Sequence, residues 1–500
     1  MRPGRDGAAA GLAPALAIAL LILVAISFGY SFFLATTFHG DDHIFLAYAR
    51  YAPNPFVAFV SDAHGGEYYR PLPMAVWWLL GHRGGGSAPF AALALLLHAG
   101  AAALTWALLR ALGRPATVSG GAAVVMLIAP QNLDAASWFS ASTDLFATVF
   151  VLVALVAGAR GRHAAATVAA LAACLSKESA YVLPLLVLLV LRDRPWRRRL
   201  AAVAPQVAVV AAVIAARTAV LHGWGGAGDA RAGVGAKILQ IAVGLAHVLT
   251  GDALAGGSVG RELIVAGAGA AAIALAAFSA VRGWRATGDR GRLLPFVFCA
   301  VATLPLLAAG WAVGARYFYL PAVGIAWAVA EALAGAGPAT RAVIAGVLLV
   351  VGGVQAAQRR GEVVLNDRVV AASRRAVAAG LAEGQHTFAI MGGVKDLDLA
   401  VKEDPRLAAA GVLVLTDVPA SFVIVPDALA EAAAPFVARP PLPPSGAYRF
   451  GAVRVVGLAR REDEPSLGEV IGRFPNLRFV RLYRLPTGQI VARDVTDETR

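Results

Sequence analysis

Charge is scarce in this sequence: Asp, Glu, Lys and Arg make up 15% of its 500 residues, where a soluble domain carries about a quarter. That shortage excludes an ordinary soluble domain and makes a bilayer the expected solvent, as does the 58% hydrophobic content. Cysteine is scarcer still. Cys174 and Cys299 stand alone, both inside apolar runs, so neither a disulfide framework nor a cysteine metal site is available, and the redox compartment stays open.

What charge there is has one dominant sign, +13 net. The arginines cluster in short stretches between apolar segments, which marks cytoplasmic loops rather than a nucleic-acid surface. No nucleic-acid partner is expected. The N-terminus places Arg2 and Arg5 before an apolar run at 12–34, longer than the roughly 7–15 residues of a signal-peptide core. The run should stay in the membrane as a first span.

Taking the basic stretches at 110–114, 160–163, 192–199 and 282–292 as cytoplasmic fixes the orientation. Each pair must enclose an even number of crossings. Spans near 12–34 and 89–110 leave an unusually long outer loop, 35–88. Spans near 117–130 and 144–159 leave Gln131 to Thr143 outside. Residues 162–192 are apolar except for Ser176-Lys177-Glu178 at their centre. Two short helices meeting at the outer face satisfy the rule and put both charges at the boundary, where they cost least. Further spans near 200–221, 260–282, 293–311, 319–336 and 341–357 bring the total to about eleven, with the N-terminus cytoplasmic and the C-terminus outside. Residues 237–256 read as an amphipathic or re-entrant helix. Arg359 and Arg360 run against this orientation, sitting just past the last span on the outer side.

The expected architecture is therefore an α-helical polytopic membrane protein, residues 1–358, followed by a small extracytoplasmic α/β domain, residues 359–500. Within the latter, 367–381 has a helical pattern, while 387–391, 412–416, 422–425, 448–458, 478–485 and 489–493 read as strands. A Pro-rich linker at 439–446 interrupts them, and Pro486-Thr487-Gly488 fits a hairpin turn. This part contains no repeat, phosphate-cradling loop, dinucleotide fingerprint or zinc-ligand spacing.

The chemistry concentrates in the outer loop. His39-Gly40-Asp41-Asp42-His43 follows the first span, then Asp62, His64, Glu67 and the run Tyr68-Tyr69-Arg70-Pro71-Leu72. Two adjacent carboxylates beside a span suit a general base or a cation site. His39, His43 and His64 together with Asp41 and Asp42 could take a divalent cation, although their spacing is not diagnostic; no other cofactor is implied.

These residues also carry a resemblance. The chain is similar to the GT-C superfamily of membrane glycosyltransferases, bacterial enzymes using polyprenyl-phosphate sugars among them. It most resembles the transmembrane O-mannosyltransferases that bear tetratricopeptide repeats. The family's acidic pair after the first span corresponds to Asp41-Asp42, and its Tyr-Arg-Pro-Leu element to Tyr69, Arg70, Pro71 and Leu72. A Leu-Leu-His in the second span falls at Leu96, Leu97 and His98. Pro130, Asp134, Trp138 and Asp144 follow the family's third outer loop, Ser176, Lys177 and Glu178 its Ser-Lys-Glu, and Arg316, Tyr317, Tyr319, Leu320 and Pro321 its Arg-Tyr and Tyr-Leu-Pro. The repeats are missing and a different C-terminal domain replaces them.

The resemblance implies an inverting transfer from a polyprenyl-phosphate sugar to an extracytoplasmic protein, lipid or glycan, with membrane lipids as the surroundings and Asp41 or Asp42 as base. Asp41 is favoured as the first residue of the pair after the span. Arg70, Lys177 and Arg316 would hold the phosphate, with Tyr69, Asp134, Trp138, Asp144, Glu178 and Tyr317 also lining the substrate site. The same intramembrane charges suit a transporter or lipid flippase, against which stands the lack of matching halves. A catalytically silent scaffold for the outer domain is a third reading.

Overall fold

The computed structural model describes residues 37–61, 68–223, 234–251, 259–308, 315–391, 397–402, 404, 406–408, 410–415, 421–426, 448–450, 453–458, 478–485 and 489–499. The expected first span at 12–34, Asp62, His64, Glu67, the 439–446 linker, the Pro486-Thr487-Gly488 turn and the side chain of Asp134 lie outside the described residues.

Helices α1 (Asp42–Tyr51), α2 (Val57–Val60) and α3 (Pro71–Gly81) come first. Next are α4 (Ala88–Ala111), α5 (Ala116–Ile128), α6 (Pro130–Ser137), α7 (Ser142–Ala159), α8 (His163–Cys174), α9 (Leu183–Val190) and α10 (Trp196–Leu221). Then follow α11 (Val234–Thr250), α12 (Val259–Thr287), α13 (Leu294–Leu307), α14 (Tyr319–Leu333) and α15 (Pro338–Ala382). The remainder runs β1 (Thr387–Met391), α16 (Leu397–Lys402), β2 (Gly411–Leu415), β3 (Ser421–Pro426), β4 (Tyr448–Phe450), β5 (Val453–Leu458), β6 (Arg478–Arg484), β7 (Ile490–Asp494) and α17 (Thr496–Thr499). Two compact units result. The first holds described residues 87–216 and 234–360, the second 37–86, 217–223 and those from 361 onward.

The first unit has the helices of a multi-pass membrane protein. Among the described residues, 6 helices are long and apolar enough to cross a bilayer, or 7 if α5 and α6, bent by 56°, count as one span. Their outward faces carry large apolar side chains such as Phe278 at 64% exposure, a liability in water and the normal condition in lipid. The break expected inside 162–192 is present: α8 ends at Cys174, and a 3-10 turn from Glu178 to Val182 leads into α9. Pro184, in the first turn of α9, has no N–H to give a continuous helix. Small residues set the close crossings. A side chain at Gly324 of α14 would meet Pro295 O at 2.6 Å and the Cys299 backbone at 2.9 Å.

The second unit is α/β. Strands β2-β1-β6-β7 form one sheet, with β1 parallel to β2 and β6, and β6 antiparallel to β7. A second sheet, β3-β5-β4, is antiparallel throughout. The core joins Val369, Val370 and Val377 of α15 to Phe388 and Ile390 of β1 and Val412 of β2. Here the final span and the helix expected at 367–381 are one 45-residue helix. The residues joining them are mostly good helix formers without proline, so nothing stops the helix at the end of the apolar run.

Candidate functional site

The site in the first unit begins at a proline. Pro130 cannot donate a backbone hydrogen bond, so Met126 O, which would accept from it in a continuous helix, needs another donor. Asn132 Nδ2 supplies it at 2.8 Å. The next carbonyl, Leu127 O, lies 3.1 Å from His98 Nε2. A carbonyl only accepts, which assigns the proton to Nε2; Nδ1 then accepts from the Tyr319 hydroxyl at 2.5 Å. His98 thus ties the broken α5–α6 segment to the start of α14. That is the inter-helix hydrogen bonding its mid-span position suggests.

Beyond the break, α6 leads to Trp138 and a short 3-10 turn before α7. Asp144 sits in the first turn of α7, where the helix dipole favours a carboxylate. Lys177, in the gap between α8 and α9, donates from Nζ to Asp144 Oδ2 at 2.5 Å. Both side chains are almost fully buried, 5% and 4% exposed. The ammonium also lies 4.4 Å from the centre of the Tyr317 ring.

Arg316 precedes Tyr317 in the 3-10 turn Ala315–Phe318. Its guanidinium lies 4.0 Å from the Trp138 ring centre and 5.3 Å from that of Tyr317, and donates to the Tyr317 hydroxyl at 3.5 Å. Phe318, fully buried beneath the turn, packs against Gly244 of α11, where any side chain would strike the ring. Arg359 reaches the same indole, 5.6 Å from its centre. Trp138, Asp144, Lys177, Arg316 and Tyr317, taken from three separate sequence motifs, are therefore one cluster. Arg359, which ran against the topology in the sequence, belongs to it too. Its lone sequence signal is basic charge on the wrong side of a span. Glu178 is half-buried at the start of its 3-10 turn; Lys177 forms an ion pair with Asp144, a pairing that no local spacing announces.

An aromatic ring holds a cation through its quadrupole without cancelling the charge. In this cluster Lys177 has both a carboxylate and a ring for neighbours, while Arg316 and Arg359 lie on the Trp138 ring.

The opposite end of this unit is built differently. Helix α7 runs about 24 Å from Asp144 to the Arg160 end, judged by its rise. At that end Arg114 lies 2.5 Å from Glu331 of α14 and 2.9 Å from Asp289, which follows α12. Trp327 Nε1 donates to Glu331 at 3.1 Å, and Asp289 also accepts from Gly291 N at 2.8 Å. The Arg114 hydrogen bond holds the Asp289 carboxyl below its usual range. Here carboxylates neutralise the cation, making a clamp between helices.

In the second unit the acidic pair opens α1. Asp42 is fully buried, and its Oδ2 accepts from His39 N at 3.1 Å and faces His39 Nδ1 at 3.6 Å. Asp41 is the N-cap residue and half-buried. His43 is buried beside them. Tyr69 donates from its hydroxyl to Phe59 O at 3.1 Å; burial pushes its pKa up, so the donor is retained. Arg70, 9% exposed, precedes α3 and lies 4.1 Å from the Tyr68 ring centre. Among the described residues no group of three or more His, Cys, Asp or Glu side chains is placed to hold a metal ion.

No protein-family model matches this chain, and no curated protein matches it either.

Proposed function

We propose that this protein is an inverting membrane glycosyltransferase that moves a sugar from a polyprenyl phosphate to an extracytoplasmic acceptor. The observation that carries the reading is the convergence of Trp138, Asp144, Lys177, Arg316 and Tyr317 on one end of the helical unit. A lipid-linked phosphate lies at headgroup level, so its binding groups must be cations at the ends of spans. Lys177 and Arg316 meet that requirement, and Arg359 joins them. The resemblance gives Arg70 a phosphate-binding role as well.

Asp41 takes the proton from the acceptor hydroxyl. The oxygen attacks the anomeric carbon, the bond from that carbon to the phosphate oxygen breaks, and the polyprenyl phosphate leaves with the electron pair. Cations stabilise the phosphate as its charge develops. Asp42, its Oδ2 engaged at His39 N, positions the turn that presents Asp41. The reading further takes about eleven crossings, the N-terminus in the cytoplasm and the C-terminal unit outside. On it Arg359 lies outside because it serves the site, while the Arg114 clamp lies on the cytoplasmic side.

The test is incubation of nanodisc-embedded protein with a panel of polyprenyl-phosphate sugars. Release of polyprenyl phosphate, lost in Asp41→Asn, supports the reading; full activity in both Asp41→Asn and Asp42→Asn overturns it. Translocation of the intact lipid without release assigns the protein to the flippases.

A further inference from the structure

Near the Arg114 end of the helical unit, α5, α14 and α15 leave a cleft of about 170 Å³. Gly121 and Val125 line it from α5, Ala330 and Leu333 from α14, and Ile344 and Leu348 from α15. Its volume is below the ~300–1,000 Å³ of pockets that enclose a whole drug-sized ligand. The cleft therefore takes part of a larger molecule. Glycine and alanine hollow it out: at Gly121 even a methyl group would stand 3.3 Å from Ala330 Cβ.

Around it α15 turns Val343, Val347 and Val350 outward, each more than half exposed. Such a face lies in lipid, so an apolar cleft beside it fills with what the bilayer supplies. One polar group stands in the lining with a charge, Arg341. Its Nε donates to Leu333 O at 3.1 Å and one terminal nitrogen to Ala334 O at 2.8 Å, covering the last carbonyls of α14. These bonds hold the guanidinium at the mouth of the cleft without neutralising it, and leave three of its five donors for another group. The contrast with Arg114, saturated by two carboxylates, is direct.

We infer that this cleft is a binding site for one acyl chain of an anionic phospholipid, whose phosphate is held by Arg341. The occupant belongs to the leaflet on the Arg114 side. This inference does not depend on glycosyl transfer, only on the helical unit lying in a bilayer.

The test reconstitutes the full chain in phosphatidylcholine nanodiscs containing a trace of phosphatidylglycerol or phosphatidylcholine with a photoactivatable group in one acyl chain. Adducts are mapped by mass spectrometry. The expected result is phosphatidylglycerol labelling concentrated in residues 117–128 and 330–348, in excess over phosphatidylcholine. Arg341→Gln should keep the adducts but reduce that excess about fivefold. Ala345→Phe, which fills the cleft, should remove them. Should that variant not fold, Ala334→Phe fills it from the opposite wall. Equal labelling by the two lipids in the wild-type protein, an excess unchanged in Arg341→Gln, or adducts spread evenly over the outward valines would each overturn the inference.

Discussion

The two ends of the helical unit hold their cations with different sets of partners. Each buries a cation where water is scarce. At one, Arg114 lies between Glu331 and Asp289; at the other, Lys177 and Arg316 rest on Tyr317 and Trp138, with Asp144 bound to Lys177. A cation saturated by carboxylates gains little from another anion and serves as a clamp. A cation on an aromatic ring is attracted by the ring's quadrupole, and Lys177 combines that contact with a carboxylate.

The comparison breaks most visibly at Lys177. Replacing it by Met should leave Asp144 buried and unpaired, costing about 3–5 kcal/mol of stability, and should lower transfer about 10²–10³-fold. Adding Asp144→Leu should restore much of the melting temperature and none of the activity, because the paired charges are then both gone. Recovery of both would make Lys177 a clamp like Arg114. Arg114→Gln should cost a similar ~3–5 kcal/mol by exposing Glu331 to an uncompensated burial, while the donor's Michaelis constant stays unchanged in the surviving folded enzyme.

Smaller effects sharpen the contrast. Trp138→Leu removes the ring beneath Arg316 and Arg359, and should raise the donor's Michaelis constant about 2- to 30-fold, the range of a cation–π contact. A pH series should find the clamp acid-sensitive. The Arg114 hydrogen bond holds the folded pKa of Asp289 below that of a free carboxyl, so its contribution is complete above the unfolded pKa and is lost as pH falls through the folded one. The side chain is 42% exposed, so solvent screening keeps the effect small. Melting curves should show a shallow acid loss below about pH 4 that Asp289→Asn removes.

Much of this was legible in the sequence where composition is one-sided. The span at 88–111 and the break at Ser176-Lys177 follow from apolar runs and isolated charges. The strands at 387–391 and 411–415 follow from short β-branched and aliphatic runs. The acidic pair, Lys177 and Arg316 stood out because charges at the end of a span are costly. The bend at Pro130 did not. Pro-Gln-Asn-Leu-Asp-Ala-Ala-Ser has no apolar period and reads as loop, yet α6 is helical because Asn132 and His98 satisfy the carbonyls the proline leaves over. The clamp was equally hidden. Arg114 and Glu331 are 217 residues apart, and no local pattern announces a pairing at that range. Arg359 was visible only as an inconsistency with the expected orientation, and no local pattern announces its place beside Trp138.

The proposed transfer needs Lys177 and Arg316 to meet a lipid-linked phosphate, and that binding can be measured without knowing the sugar. Nanodisc-embedded protein titrated with a short-chain polyprenyl phosphate should bind it, with affinity reduced at least tenfold by Arg316→Gln and unchanged by a clamp variant, Asp289→Asn. Equal affinity in the wild type and Arg316→Gln would contradict it.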